Sequence, residues 1–283
     1  NNQILIESLN DQALDVKAVL SQLASTSVGT ALATDPVLPK VNESASEDSL
    51  LHTLTGSDDV AAVMAQVTVK KTDRSATSKR IQQVKVSLPA KMVVQRATPF
   101  LPSVIEMSKQ FDIDRSLILA ITQTESSFNP LAQSPIPAFG LMQIVPDSAG
   151  KDVNMHINNK KTSPTINTLF KPDQNIRFGA AYLHILDSRY LKGITDDRSR
   201  LYCTIAAYNT GAGNVASVFH PQKKRSLRLA VQRINQLSPD EVYQQLVTHL
   251  PYQETRTYLK KVNKALQQYQ QWDQSKVALN AEL

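Results

Sequence analysis

Ile121-Thr-Gln-Thr-Glu-Ser-Ser-Phe-Asn-Pro130, continued by Ser134 and Ala138-Phe-Gly-Leu-Met-Gln-Ile-Val145, is the stretch on which the reading of this chain turns. The run leading into it, Asp114-Arg-Ser-Leu-Ile-Leu-Ala-Ile-Thr-Gln-Thr124, has helical spacing. Leu117, Ile118, Ile121 and Thr124 recur on one face, and Asp114 is placed to cap the first turn. Glu125 stands four residues beyond Ile121 and seven beyond Ile118, so it continues a stripe that should point inward. Asn129 and Pro130 are expected to end the helix, which leaves Glu125 near its last turn, facing core or cleft.

Two uses of that carboxyl stay open at this level. Glu125 can bend back to solvent or pair with a lysine, because a buried unpaired carboxylate is costly. Alternatively, apolar surroundings and the negative end of the helix dipole raise its pKa from roughly 4.3 toward neutrality, so that it holds a proton to deliver to a leaving group.

The 283 residues, 41% hydrophobic and 20% charged, are enough for one large core or two smaller ones. A net charge of +6 and a pI near 9.3 favour acidic partners such as anionic polymers, lipid headgroups or nucleic acid, though only mildly. No apolar run reaches the length of a membrane span. The opening Asn1-Asn-Gln-Ile has neither an initiator Met nor a signal-peptide pattern, and the chain reads as a processed or trimmed product. Cys203, alone in the sequence, sits in an apolar run that suits a buried thiol better than a nucleophile.

Residues 1–96 read as a small α+β domain. Ile4-Leu-Ile6 is a short strand, and residues 11–23 form an amphipathic helix. The Pro-, Ser- and acid-rich stretch 34–58 is a loose surface loop. Val67–Val69 and Val84–Leu88 alternate as half-buried strands do, joined by a polar Lys70-to-Arg80 connection. Lys70, Lys71, Lys79 and Lys85 make either a basic strip for an anionic surface or an ordinary solvated strand face. Residues 97–283 turn helical: around Val104–Phe111, up to Glu125, over 176–186, and over 200–209 with a stop at Gly211-Ala-Gly213. Ser238-Pro-Asp-Glu241 is a capping box that opens a further helix, and a last amphipathic helix runs through Glu254, Tyr258, Val262, Leu266 and Tyr269.

Several chemistries drop out. His52, His156, His184, His220 and His249 lack metal-ligand spacing, so no metal site is expected. Gly211-Ala-Gly213 follows a helix and has no Lys-Ser/Thr, so it is no phosphate cradle. Lys223-Lys-Arg225 has no interleaved aromatics for single-stranded nucleic acid. Taken singly, Ser134 reads equally well as a turn residue, Gln143 as a cap, Tyr208 as core filler and Glu254 as an ion-pair partner.

Together they form a pattern. Glu125-Ser-Ser-Phe-Asn-Pro130, Ser134, Ala138-Phe-Gly-Leu-Met-Gln143, Ala207-Tyr-Asn-Thr-Gly-Ala-Gly213 and Glu254-Thr-Arg-Thr-Tyr-Leu259 resemble the successive motifs of family-one lytic transglycosylases. Asp114–Glu125, Ala149–Val153 and Asp240–Tyr243, behind a small α+β domain, are most similar to the membrane-bound members of that family. The resemblance implies a mainly α protein, with a lysozyme-like α-helical catalytic domain over 97–283 and the α+β domain before it. It implies cleavage of the β-1,4 bond between N-acetylmuramic acid and N-acetylglucosamine in peptidoglycan, leaving 1,6-anhydro ends, with no cofactor.

By the same resemblance Glu125 matches the sole catalytic acid/base. Ser134, Met142, Gln143, Tyr208, Asn209 and Tyr258 match residues lining the sugar cleft, and Glu254 matches a carboxylate supporting the site. Partners implied are glycan strands, a membrane reached through a lipid anchor on a cysteine that this sequence does not contain, and cell-wall proteins met through residues 1–96. The location implied is periplasmic, at the outer membrane, and no nucleic acid is expected. Pro137 departs from the pattern, standing where the family commonly has Gly, so the loop bearing Ser134 cannot take a positive φ there. Two other classes fit the same fold: a hydrolase in which water replaces the sugar's C6 hydroxyl, and a non-catalytic wall-binding scaffold.

Overall fold

The computed structural model describes residues 3–8, 14–34, 47, 49–55, 57–76, 79–87, 96–222 and 224–281. It divides into two compact units, Asn1–Pro99 with Ser127–Asn129, and Phe100–Ser126 with Pro130–Leu283.

The first unit is α+β. Its elements are β1 (Gln3–Ser8), α1 (Val16–Ser25), α2 (Val28–Thr34), α3 (Leu50–Thr55), α4 (Val60–Gln66), β2 (Thr68–Ala76) and β3 (Lys79–Ser87). The sheet is antiparallel in the order β1-β3-β2, with Ile4 opposite Val86, Ile6 opposite Val84, and Val69 opposite Val86. Since side chains alternate across a strand, that register puts Ile4, Ile6, Val69, Val84 and Val86 on one face. There they pack against Val16, Leu20, Leu51 and Val63 of the helices. Leu5, Lys70 and Lys85 fall on the other face and are exposed, and Lys70 pairs directly with Lys85. The side chains of Lys71 and Lys79 lie outside the described residues. Asp15 and Asp59 cap α1 and α4, each accepting from two backbone N–H groups of the first turn.

Two expectations change here. The polar Lys70-to-Arg80 segment is largely strand, because backbone pairing with β3 holds it without an apolar face of its own. The stretch 34–58 contains α3, opened by the Ser49 hydroxyl accepting from His52 N at 2.9 Å and anchored by the buried Leu51. Residues 35–46, 48 and 56 of that stretch, like Leu88 at the end of the expected second strand, lie outside the described residues.

The second unit is helical: α5 (Leu101–Phe111), α6 (Arg115–Ser126), the short α7 (Lys151–His156) and α8 (Ile166–Leu169), α9 (Pro172–Ile185), α10 (Asp197–Thr210), α11 (Ala212–Phe219), α12 (Leu227–Ile234), α13 (Pro239–His249) and α14 (Gln253–Ala281). The chain is thus mainly α with a small three-stranded sheet, as expected. α6 is the central helix. Every residue from Ser116 to Thr122 is buried, so it is enclosed on all sides and not only along the expected stripe. α14 packs along it. Tyr269 donates to Gln123 Oε1 at 2.6 Å, and Asp273 takes Arg115 Nε at 2.7 Å and Ser116 Oγ at 3.1 Å.

Gly211, at φ 84°, ends α10 as the Gly-rich motif suggests, but the chain re-enters a helix at once at Ala212. The capping box at Ser238 and Glu241 forms with both of its reciprocal hydrogen bonds. Cys203 is fully buried, which pushes its thiol well above the ordinary range and fits the core role.

Candidate active site

α6 ends at Ser126, earlier than Pro130 alone suggests, because Ser127 and Phe128 take positive φ values of 54° and 64°. Glu125 therefore sits in the last turn. The Ser126 hydroxyl binds the carbonyl of Leu141 at 2.7 Å and ties this turn to the segment 138–145.

That segment is a tight loop. Phe139 and Ile144 exchange backbone hydrogen bonds, both at 3.1 Å, and between them Gly140 (φ 75°) and Gln143 (φ 49°) take left-handed conformations. Gly140 is required twice over. Its φ disfavours side chains, and a Cβ there would lie 2.4 Å from the Leu169 carbonyl and 2.3 Å from Asn175 Nδ2. Asn175, fully buried on α9, holds the loop at both ends: its Nδ2 donates to the carbonyls of Phe139 (2.8 Å) and Leu169 (2.7 Å), and its Oδ1 accepts from Met142 N at 2.7 Å. Met142 packs over Gly179 of the same helix, where a Cβ would meet its sulfur at 2.2 Å.

Tyr208, from α10, donates to the Met142 carbonyl at 2.9 Å and stacks in tilted geometry on Tyr182, with ring centroids 5.5 Å apart. Tyr258, from α14, donates its hydroxyl to Glu125 Oε1 at 2.7 Å. Two turns of different helices, 133 residues apart in sequence, thus meet at one carboxyl.

The electrostatics follow from this enclosure. Glu125 as a whole residue is half-buried, but its carboxyl is desolvated enough to push its pKa from an ordinary 4.5 up to about 7. The Tyr258 hydrogen bond opposes that rise by stabilising the anion, and the negative charge of Glu254, one turn before Tyr258, adds to it. Tyr208 and Tyr258 are held well above the ordinary phenol range, first by burial and then by the Glu125 charge, so both remain neutral donors.

Gln143 donates its amide to the carbonyls of Ala132 and Gly140, each at 2.9 Å, so its Oε1 is the atom it has to offer. Asn209 Oδ1 accepts from the buried Thr255 hydroxyl at 2.7 Å, which leaves its NH2 as the group it has to offer. Glu254 is exposed. Glu125, Met142, Gln143, Tyr208 and Tyr258 are therefore linked through a few contacts, and Asn209 is tied to α14 through Thr255. Ser134 stands apart. Its backbone N–H binds Ala138 O at 3.1 Å and its hydroxyl binds the Ile136 carbonyl, both within its own loop, where Pro137 is exposed.

Sequence reading missed two supports, Asn175 and Thr255. The first had a signal, since it is a polar residue sharing a helix face with Gly179 and Tyr182, both buried. The second had none, because its partner lies 46 residues away. Among the described residues no group of three or more His, Cys, Asp or Glu could hold a metal.

Residues 102–230 match the family model described as the transglycosylase SLT domain. Glu125, Ser134, Met142, Gln143, Tyr208 and Asn209 fall inside the match, while Glu254 and Tyr258 lie beyond it. The chain is 47% identical over 189 residues to the membrane-bound lytic murein transglycosylase C of Pectobacterium atrosepticum, covering 67% of this chain and 52% of that protein. It is 46% identical over 196 residues to the protein of the same name from Cronobacter sakazakii, covering 69% and 53%. The chain spans about half the length of the curated relatives it matches. A solved structure of an inactive mutant of the lytic transglycosylase Slt from Pseudomonas aeruginosa aligns at 28% identity with a TM-score of 0.47, over 63% of this chain and 25% of its own.

Proposed function

We propose that the chain is a lytic transglycosylase that cleaves the β-1,4 bond between N-acetylmuramic acid and N-acetylglucosamine in peptidoglycan, with Glu125 as acid and then base. The observation that carries this reading is the Glu125 carboxyl itself. It sits inside a matched transglycosylase domain, half-protonated near neutral pH and touched by the Tyr258 hydroxyl. A group poised near the working pH can both give and take a proton.

In this scheme protonated Glu125 gives its proton to the glycosidic oxygen, and the bond from the anomeric carbon to that oxygen breaks. The substrate's acetamido group stabilises the positive charge left behind, a recognised alternative to a second protein carboxylate. Anionic Glu125 then takes the proton of the C6 hydroxyl, whose oxygen closes on the anomeric carbon to form the 1,6-anhydro ring. The attack is intramolecular and gains from high effective concentration. Tyr258 stabilises the anionic state of Glu125 between the two steps. Ser134 and Tyr258 orient the acetamido group, Asn209 and Gln143 hold sugar hydroxyls as donor and acceptor, Tyr208 forms the cleft wall, and Met142, fully buried, backs it. Glu254 supports the site by keeping the Glu125 pKa high.

We place the catalytic domain at 97–283 and assign 1–96 to contacts with the wall or its proteins. The relatives' names speak of membrane attachment, and we extend that to this chain, outside the cytoplasm; among the described residues no helix is long and apolar enough to cross a membrane. Digesting purified sacculi and identifying the sugar termini tests the whole scheme. Wild type should release 1,6-anhydro-muramic ends, and Glu125→Gln should lose at least about a hundredfold in rate, the usual scale for a positioned acid/base. Reducing ends alone would instead identify a hydrolase.

A further inference from the structure

Helix α9 presents polar side chains in two directions. Asn175 and Gly179 face the 139–142 loop, whereas Gln174, Arg177 and Phe178 line an open pocket whose other wall is the segment from Asn154 to Thr168. Amides, hydroxyls and two cations, Lys160 and Arg177, line this pocket, and no carboxylate does. A chain of hydrogen bonds fixes the wall. Arg177 Nη2 donates to Asn158 Oδ1 at 2.8 Å, Asn158 Nδ2 to Asn154 Oδ1 at 2.8 Å, and Asn154 Nδ2 to the Thr162 carbonyl at 2.6 Å. Asn154 is 5% exposed, so the inner end of this chain is built into the core.

The charge in this chain is left unbalanced. Arg115, Arg198 and Arg200 of the same unit are each paired with an aspartate, whereas Arg233 and Arg256, like Arg177, hydrogen-bond to neutral groups. Arg177 is half-buried and, among the described residues, meets only the neutral amide of Asn158, which uses one of its five N–H donors. Among the described residues, Asp147 accepts the Ser163 hydroxyl at 2.6 Å and Asp173, four residues before Arg177, accepts the Ser103 hydroxyl at 2.5 Å, and neither is ion-paired to Arg177 or Lys160. A guanidinium with open donors is matched by a planar anion that accepts two parallel hydrogen bonds. Lys160, exposed at the rim, adds a second positive charge.

We propose that this pocket binds a carboxylate of the peptide stem carried by the glycan strand, with Arg177 as the fork and Lys160 at the mouth. The identity of the anion rests on the proposed peptidoglycan substrate and deepens that reading: α9 would support the sugar cleft on one side and hold the peptide on another.

The test is a titration of the full chain, followed by amide resonances of residues 158–163 and 174–178. Three probes are used: an N-acetylmuramyl tetrapeptide with free carboxylates, the same compound with its carboxylates amidated, and inorganic phosphate. The free-carboxylate peptide should bind and the amidated one should not. Arg177→Gln should weaken binding at least about tenfold, on the scale of a lost bidentate contact. Because that change also cuts the bond to Asn158, Lys160→Gln, at an exposed rim position, serves as the second variant and should weaken binding severalfold with an unchanged melting temperature. Equal binding by the amidated peptide, wild-type affinity in both variants, or binding of phosphate without peptide would each overturn the proposal. Arg177→Gln should also cleave peptide-free glycan at the wild-type rate while its KM rises on peptide-bearing strands. Equal loss on both substrates would mark Arg177 as structural only. If wild type cleaves neither substrate yet binds the peptide in this pocket, the catalytic reading fails and this one stands.

Discussion

Glu125→Gln should raise the stability of the protein, and by an amount that depends on pH. In the folded protein the carboxyl titrates at about 7, against 4.5 for the ordinary group. At about 1.4 kcal/mol per unit, that gap corresponds to roughly 3 kcal/mol of free energy. Its sign follows from proton counts. Between pH 4.5 and 7 the folded state holds a proton on Glu125 that the unfolded chain has released, so raising the pH favours unfolding. Below pH 4.5 both states are protonated and the penalty is absent; above 7 it is present in full. Gln carries no ionisable group, and its carbonyl can still accept the Tyr258 hydroxyl that now reaches Glu125 Oε1. The difference between variant and wild type should therefore be small and constant below pH 4.5, grow through the interval, and level off near 3 kcal/mol by about pH 8. In a thermal melt this is a gain of about 6–12 °C, at 2–4 °C per kcal/mol for a unit of this size. The assay is a set of melts of both proteins from pH 4 to 8.5 at fixed ionic strength. A stability difference that does not change with pH would mean that Glu125 is not desolvated, and the acid/base reading would go with it.

Three further substitutions probe the site's supports. Tyr258→Phe removes the hydrogen bond that holds the Glu125 pKa down, so the carboxyl should titrate above 7 and the alkaline fall in cleavage rate should move to higher pH; an unmoved profile would refute the contact. Asn175→Ala strips the partners from Met142 N and the carbonyls of Phe139 and Leu169, all beside a buried site. A loss of about 3–5 kcal/mol in denaturant unfolding is expected, and less than about 1 kcal/mol would count against the loop's dependence on this amide. Gly140→Ala forces a Cβ against the Leu169 carbonyl at a φ of 75° and should cost at least about 2 kcal/mol together with most activity, whereas a neutral outcome would show that the loop has another conformation available.

Much of the helical unit was legible in the sequence because its signals are local. Asp114 caps α6 with its carboxylate 2.8 Å from Ser116 N, the Ser238 box closes, and Gly211 ends α10, each within a few residues of chain. The β2–β3 hairpin was half-missed for the opposite reason. Its polar half, around Lys71 to Arg80, has no periodicity to read and is a strand only because β3 supplies the hydrogen bonds.

The same division runs through the site. The residue types and their order along the chain, Glu125 at the end of a helix, the Gly-containing loop and the Tyr-Asn pair, stand in the sequence itself, since helix periodicity and backbone sterics act over a turn or two. Only the tertiary structure decided that Tyr258 touches Glu125, that Thr255 turns the Asn209 amide and that Asn175 clamps the loop. Those contacts join segments dozens of residues apart, and the desolvation that lifts the Glu125 pKa is a property of everything packed around it, which no stretch of sequence contains alone.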